Sequence, residues 1–454
     1  MEKLGAKYDI SEIAGFDDLH DPREILAAGM ERAAALWGAS HTFFLVNGST
    51  CGILAAIRAA SRVSGSRKLI LSRNCHKSVY NAVELCSLEP VYIAPSTIRG
   101  LGFCGSISEG AVEACVRENP GAPVILTSPT YEGALSNIAE ISSICRRHGS
   151  ILLVDEAHGA HLDLSPYFTG GAVRAGADII VQSLHKTLTG LTQTALLHLG
   201  ADCPVTRGDI LRELAVFETS SPSYILMASI DGTVDLIFRR GHELFDAWSE
   251  RLRRFHERLS LKNLALFGHS HSFSTRDSAV SGVHGFDKSK IVILCDGTNI
   301  RGSALMNMLR YRFGIECEMA GSEHVVAMSG LLDTNESLNR LADALCEIDS
   351  GIIEARPRTV ATEISIPPRK MSASEALKKQ RRPVPLMEAS GSVCAEYVWA
   401  YPPGIPLVVP GEVLTKELLH SFIMQEKSGI SLKSTFGDMP AAIHVIRDLN
   451  ARFP

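Results

Sequence analysis

The chain has 454 residues, 45% hydrophobic and 21% charged, enough to bury a large core spread over two or three domains. A net charge of -5 and a sequence pI near 6.4 give no electrostatic footprint for nucleic acid or an anionic membrane, so neither is expected as a partner. Eleven cysteines without a C-x-x-C pair argue against a disulfide framework or a zinc site, and with no signal-like start and no long apolar run the expected location is the cytoplasm.

Residues 1–30 form an N-terminal segment. From about 40 to 200, short apolar runs rich in Val, Ile and Leu alternate with helical patterns, at 42–46 (TFFLV), 68–72 (KLILS), 90–94 (PVYIA), 123–128 (PVILTS), 150–156 (SILLVDE) and 178–183 (DIIVQS). Continuous hydrophobicity marks strands buried on both faces, so the region predicts a mostly parallel sheet covered by helices, with ligands beyond the carboxyl ends of its strands. Residues 201–260 carry helical spacing. A smaller α/β unit follows, with a strand at 290–295, a helix at 299–313, strands at 315–319 and 324–330, and a helix at 335–348. The expected division is therefore a large domain over 31–265, a small α/β domain over 266–355, a Pro- and Ser-bearing linker over 356–374, and a C-terminal domain over 375–454. Lys378, Lys379, Arg381 and Arg382 predict the solvated face of a short helix.

Strand 43–46 runs into Asn47-Gly48-Ser49-Thr50 and an Ala-rich helix. A glycine turn with two hydroxyls at a helix N-terminus offers N–H groups and a favourable dipole to an anion such as phosphate, while the same residues also suit ordinary N-capping by Ser49 or Thr50. Asp155 sits where a buried strand ends and can stay ionised only beside a cation or several donors; a protonated ring nitrogen of a cofactor would serve. Lys186 follows the next strand, beside His185, and a buried amine needs a partner, neutralisation or a covalent use. One helix-and-strand unit is expected between Asp155 and Lys186, so that adjacent strand ends bring them together as a structural ion pair or as a cofactor site. His158 and His161 lack a third ligand of matching pattern, so no metal is expected. GLGFCG at 100–105 has dinucleotide-fingerprint spacing but starts too far beyond its strand, and Ser106 with Glu109 reads better as a capping box.

A phosphate cradle, an aspartate at a strand end and a lysine about 30 residues later resemble the pyridoxal-phosphate enzymes of the aspartate-aminotransferase fold, fold type I. The stretches DDLHDP (17–22), FLVNGSTCG (44–52), SRNCHKSVYNA (72–82), TSPTYEGALSNI (127–138), VDEAHGAH (154–161), QSLHKTLTGLTQTALLH (182–198), TSSPSYILMASID (219–231) and YPPGIPLVVPGE (401–412), in that order, resemble the ornithine/lysine/arginine decarboxylase family in its short bacterial form. The resemblance implies that Lys186 carries pyridoxal phosphate covalently, that Asp155 keeps the pyridinium nitrogen protonated, and that His76 stacks on the ring. Ser49, Thr50, His158, Ser183 and His185 would complete the cofactor site.

The implied reaction is decarboxylation of arginine, lysine or ornithine to the amine and carbon dioxide. Lys186, Asp155, His76 and His185 would be catalytic, and Glu412 or Glu396 would receive the substrate's distal cation. The family also implies a homodimer in which Thr219, Ser220 or Ser221 reaches the neighbour's cofactor region. The seven residues before Tyr8 hold no counterpart of the family's H-x-P-G-H-K-x-G segment, which implies a truncated start and a less well closed site. The alternatives are a lyase or aminotransferase of the same fold, for which Arg301, Arg310 and Arg312 offer carboxylate grips, and a non-catalytic homologue.

Overall fold

The computed structural model describes residues 9–13, 15–98, 101–268, 282–356, 366–401, 404–427 and 429–447. The chain through Tyr8, Gly100, the middle of the expected linker (357–365), Pro402, Pro403 and the last residues of the C-terminal domain lie outside these.

Helix α1 (Ile25–Trp37) leads into β1 (His41–Leu45), α2 (Gly48–Ser64), β2 (Lys68–Ser72), α3 (Lys77–Leu85), β3 (Glu89–Ile93), α4 (Glu109–Glu118), β4 (Val124–Thr127), β5 (Ala134–Leu135), α5 (Ile138–Arg147), β6 (Leu152–Asp155), β7 (Ile179–Ser183), α6 (Leu184–Thr187) and β8 (Ala195–Leu199). Two helices follow, α7 (Arg207–Phe217) and the long α8 (Tyr224–Arg258). The main sheet has seven strands in the order β1-β8-β7-β6-β4-β2-β3, parallel except for β8, which runs antiparallel to both its neighbours. Successive side chains go to opposite faces and both faces are apolar. Leu69, Leu71, Ile125, Leu153, Ile179 and Val181 join one core, whereas Ile70, Val124, Leu126, Leu152, Val154 and Ile180 join the other. This explains why the strands read as unbroken hydrophobic runs. Helix α2 approaches the sheet closely because Gly52 is small: a Cβ there would stand 2.6 Å from Leu45 and 3.0 Å from Val181.

A second, antiparallel sheet is built from β9 (Ala265–Leu266), β11 (Lys290–Leu294), β12 (Met319–Ala320) and β13 (His324–Met328), and it accompanies α9 (Gly302–Phe313) and α10 (Asn335–Gly351). The short β10 (Gly285–Phe286) pairs antiparallel with β5 in a separate two-stranded ribbon, tying this unit to the large domain just before β11 begins. The chain ends in α11 (Ala373–Leu377), β14 (Arg381–Pro385), β15 (Val398–Ala400), β16 (Ile405–Val408), α12 (Lys416–Lys427), β17 (Leu432–Ser434) and β18 (Ala442–Ile446), around a separate core containing Val384, Val398, Leu414, Phe422 and Ile443.

Five local expectations are corrected. No α-helix separates β6 from β7; the crossover at 156–178 is a run of turns. Strand β8 was not anticipated, because its ALLHL pattern follows a polar turn and buries His198 against Gln182 and Thr42. The strand expected at 315–319 is reduced to Met319–Ala320. The N-cap position of α4 is Ser108, whose side chain makes no cap hydrogen bond, so Ser106 with Glu109 forms no capping box; the Ser106 hydroxyl donates to the Leu135 carbonyl at 2.6 Å and accepts from the His284 amide at 2.8 Å. Lys378 and Lys379 lie beyond the end of α11, and Arg381 and Arg382 open β14, so the basic cluster is exposed but is no helix face.

Candidate functional site

The site begins at the carboxyl ends of three adjacent parallel strands, where Thr127 pairs in register with Asp155 and Asp155 with Val181, two residues before Ser183. The chain then turns into α6, one helical turn that lifts Lys186 above the strand ends. Burial raises the Asp155 carboxyl above its ordinary value, and Lys186 and the Ala157 amide, 3.2 Å from Oδ1, work the other way. Burial lowers Lys186 from the ordinary lysine value, opposed by Asp155 and Glu318. Lys186 is therefore a buried amine whose proton is held less tightly than an ordinary lysine's, beside a buried carboxylate.

Lys186 Nζ lies 2.9 Å from His158 Nε2, and the other ring nitrogen, Nδ1, lies 2.8 Å from Nζ of the fully buried Lys290. The Tyr131 ring stands 4.5 Å from the His158 ring and 5.6 Å from Lys186 Nζ. His76 caps α3, its Nδ1 accepting from the Ser78 amide at 3.3 Å. Burial, then Lys186 and Lys77, push His76 down to about 4, which keeps a neutral ring facing the same space as Lys186. Gly404, with φ of 94°, closes over that ring; a Cβ there would stand 3.4 Å from His76.

The anion-binding expectation meets a suitable arrangement. Ser49 and Thr50 are inside the first turn of α2, not at its cap. The cap is Asn47, and its side chain accepts the Thr219 amide at 3.1 Å and bonds to no amide of the helix. The start of a 17-residue helix is thus left without a side-chain cap. Nearby, Gln193 holds the turn by donating to the Val46 carbonyl at 2.7 Å, and His185 Nδ1 donates to the Thr194 carbonyl at 3.1 Å. The Ser183 hydroxyl, fully buried, has no hydrogen-bond partner among the described residues. An uncapped helix start, an unpartnered hydroxyl, a buried carboxylate and a buried amine of lowered proton affinity fit pyridoxal phosphate: Ser49, Thr50, Ser183 and His185 for its phosphate end, Asp155 for its ring nitrogen and Lys186 for its aldehyde.

The two glutamates expected at the substrate's distal end are committed elsewhere. Glu412 Oε2 pairs with Arg73 at 2.9 Å and accepts the Val409 amide at 2.9 Å. Glu396 accepts the amides of His444 at 2.6 Å and Phe436 at 3.2 Å within the C-terminal core. The half-buried Glu318 lies close enough to Lys186, Lys290 and Tyr131 to act on their charges. Tyr131, Lys290 and Glu318 escaped the sequence reading. Tyr131 sits inside a quoted motif, but Lys290 looks like the solvated flank of a strand.

Residues 5–278 match the model of the Orn/Lys/Arg decarboxylase major domain and residues 356–431 that of its C-terminal domain. The chain belongs to the Orn/Lys/Arg decarboxylase family. Within that family it is 29% identical over 444 residues to the arginine decarboxylase of Bacillus subtilis, a match covering 97% of this chain and 88% of that one. It is 33% identical over 426 residues to an uncharacterized protein of the same organism, covering 90% of this chain and 83% of that one. The constitutive lysine decarboxylase of E. coli shares the fold at a TM-score of 0.77 and 19% identity, over 93% of this chain and 74% of that one. The Orn/Lys/Arg decarboxylase fold accounts for the mostly parallel sheet, the small second sheet and the C-terminal core.

Proposed function

We propose that this decarboxylase acts on arginine, with pyridoxal phosphate attached to Lys186. The observation that carries the reading is a single one: a buried lysine amine at the end of β7, lowered in proton affinity, beside a buried aspartate at the end of β6. Arginine is placed before lysine and ornithine because the B. subtilis relative that spans nearly the whole chain bears that name.

When bound, the cofactor supplies an electron sink for the breaking Cα–carboxylate bond. The chain's own residues do the rest. Asp155 keeps a negative charge where the ring nitrogen must hold its proton, and the start of α2 with Ser49, Thr50, Ser183 and His185 fixes the phosphate. The neutral His76 ring offers a flat face, and Gly404 admits the C-terminal segment against it, excluding water on that side. Lys186 Nζ is the group placed to deliver the proton that takes the place of the departing carboxylate at the reacting carbon. Glu318, in place of Glu412 and Glu396, is assigned to the distal guanidinium, which a planar carboxylate can grip through two hydrogen bonds. A homodimer completes the reading, with 219–221 near the start of α2 as the segment closest to the neighbour.

The test is carbon dioxide release from carboxyl-labelled arginine, lysine and ornithine by the protein supplied with pyridoxal phosphate, together with borohydride reduction and peptide mapping. Release from arginine with the label on Lys186 is expected. A label on Lys186 with no release from any of the three would overturn decarboxylation, and amino transfer to a keto acid would replace it with aminotransfer.

A further inference from the structure

Lys290 is a second buried lysine at the site, and it comes from a different sheet. The β5–β10 ribbon brings the start of β11 against the large domain, and Gly133, at φ of 101°, leaves room for it: a Cβ at Gly133 would stand 2.8 Å from Lys290 Cγ. Its Nζ contacts His158 Nδ1 at 2.8 Å and Met328 Sδ at 3.0 Å, while His158 Nε2 contacts Lys186 Nζ at 2.9 Å.

An ammonium only donates, and a neutral imidazole has one N–H and one lone pair. Two ammonium groups donating into both ring nitrogens would require an imidazolate. While both contacts stand, the two lysines therefore share one proton too few to be fully charged together. Two arrangements satisfy every partner. In one, the Lys186 ammonium donates to Nε2 and Nδ1–H donates to a neutral Lys290; in the other, the Lys290 ammonium donates to Nδ1 and Nε2–H donates to a neutral Lys186.

We infer that Lys290 is a positioning residue that takes up the proton of Lys186 through His158. The step balances: one proton leaves Lys186 Nζ for Nε2, one leaves Nδ1 for Lys290 Nζ, the ring changes tautomer and stays neutral, and Lys186 is left with its lone pair free. Lys186 faces Asp155 and Glu318, with His76, His185 and Tyr131 around it, and Lys290 faces Asp287, Glu132 and Glu318. Asp155 beside Lys186 favours the arrangement with the ammonium there, and burial, eased by Asp287 and Glu318, brings Lys290 down to about 8, an acceptor within reach of neutral pH.

The inference rests on Lys186 being the cofactor-binding amine, and the borohydride mapping above tests that separately. Here the chain is studied without cofactor, by competitive acetylation across pH and mass spectrometry of the Lys186 peptide. In the wild-type chain the reactivity midpoint of Lys186 should lie at least about one pH unit below that of exposed lysines. Lys290→Met removes the acceptor and should lower Lys186 acetylation at pH 8 roughly tenfold. Lys290→Arg keeps a permanent donor to Nδ1 and should raise it. A wild-type midpoint equal to that of exposed lysines, an unchanged profile in Lys290→Met, or shifts of the same sign in both variants would overturn the relay, and the wild-type result stands even if a variant does not fold.

Discussion

Arg73 Nη2 and Glu412 Oε2 lie 2.9 Å apart with both side chains out of solvent, joining the end of β2 to the turn after β16. The guanidinium also lies 4.8 Å from the Tyr92 ring and 5.7 Å from the Tyr80 ring. Removing one member strands a buried charge, so Glu412→Ala should destabilise the protein by about 3–5 kcal/mol, whereas Arg73→Met with Glu412→Leu should be far closer to neutral. Denaturant unfolding of the single and double variants checks this. Unchanged stability in Glu412→Ala together with a raised KM for arginine would instead return Glu412 to the substrate.

Lys186→Ala should lose decarboxylation by several orders of magnitude and lose the borohydride label, while cooperative unfolding persists because a buried amine is removed without stranding its partner His158, which keeps Lys290. A variant that still releases carbon dioxide at a comparable rate would refute the covalent role.

Asp155→Asn should bind the cofactor and lower turnover by orders of magnitude, since a neutral amide does not hold the ring nitrogen's proton. The check is kcat alongside cofactor affinity. Equal losses in affinity and no change in kcat would reduce Asp155 to an anchor.

Asp287 offers a pH dependence with a definite sign. Burial works against its ionisation, but His161 at 2.9 Å, Lys290 and the Ser289 amide outweigh it, and its proton affinity falls below the ordinary aspartate value of 3.8. A depressed folded-state value contributes stability that is present above the unfolded value and is lost as pH falls through the folded one. Unfolding free energy should therefore drop more steeply below about pH 4 in wild type than in Asp287→Asn. Parallel acid curves for the two proteins would refute the pairing.

Much of the large sheet was legible because strands buried on both faces must be apolar throughout, and Asp155 and Lys186 stood out as charges at the ends of such runs. The uncapped start of α2 was half legible: composition allowed either capping by Ser49 or Thr50 or an anion site, and only the turn of Asn47 towards Thr219 separates the two. Lys290 was hidden because a lysine beginning an apolar run is ordinarily at the surface; the β5–β10 ribbon, a pairing across about 150 residues, is what buries it. Glu412 was read as a partner for the substrate's distal cation, and the partner that the structure gives it, Arg73, lies 339 positions earlier, beyond the reach of local sequence pattern.

The antiparallel strand β8 sets an order for the growing chain. In the main sheet β1 has β8 as its single neighbour, and β8 in turn leans on β7. The turn at 47–50 and the lysine at 186 are therefore brought to their mutual distance only once Ala195–Leu199 has been inserted between their two strands. During synthesis, a ribosome must release about 200 residues before the two segments proposed to hold the ends of the cofactor can come together, and the early strand β1 must wait unpaired until then.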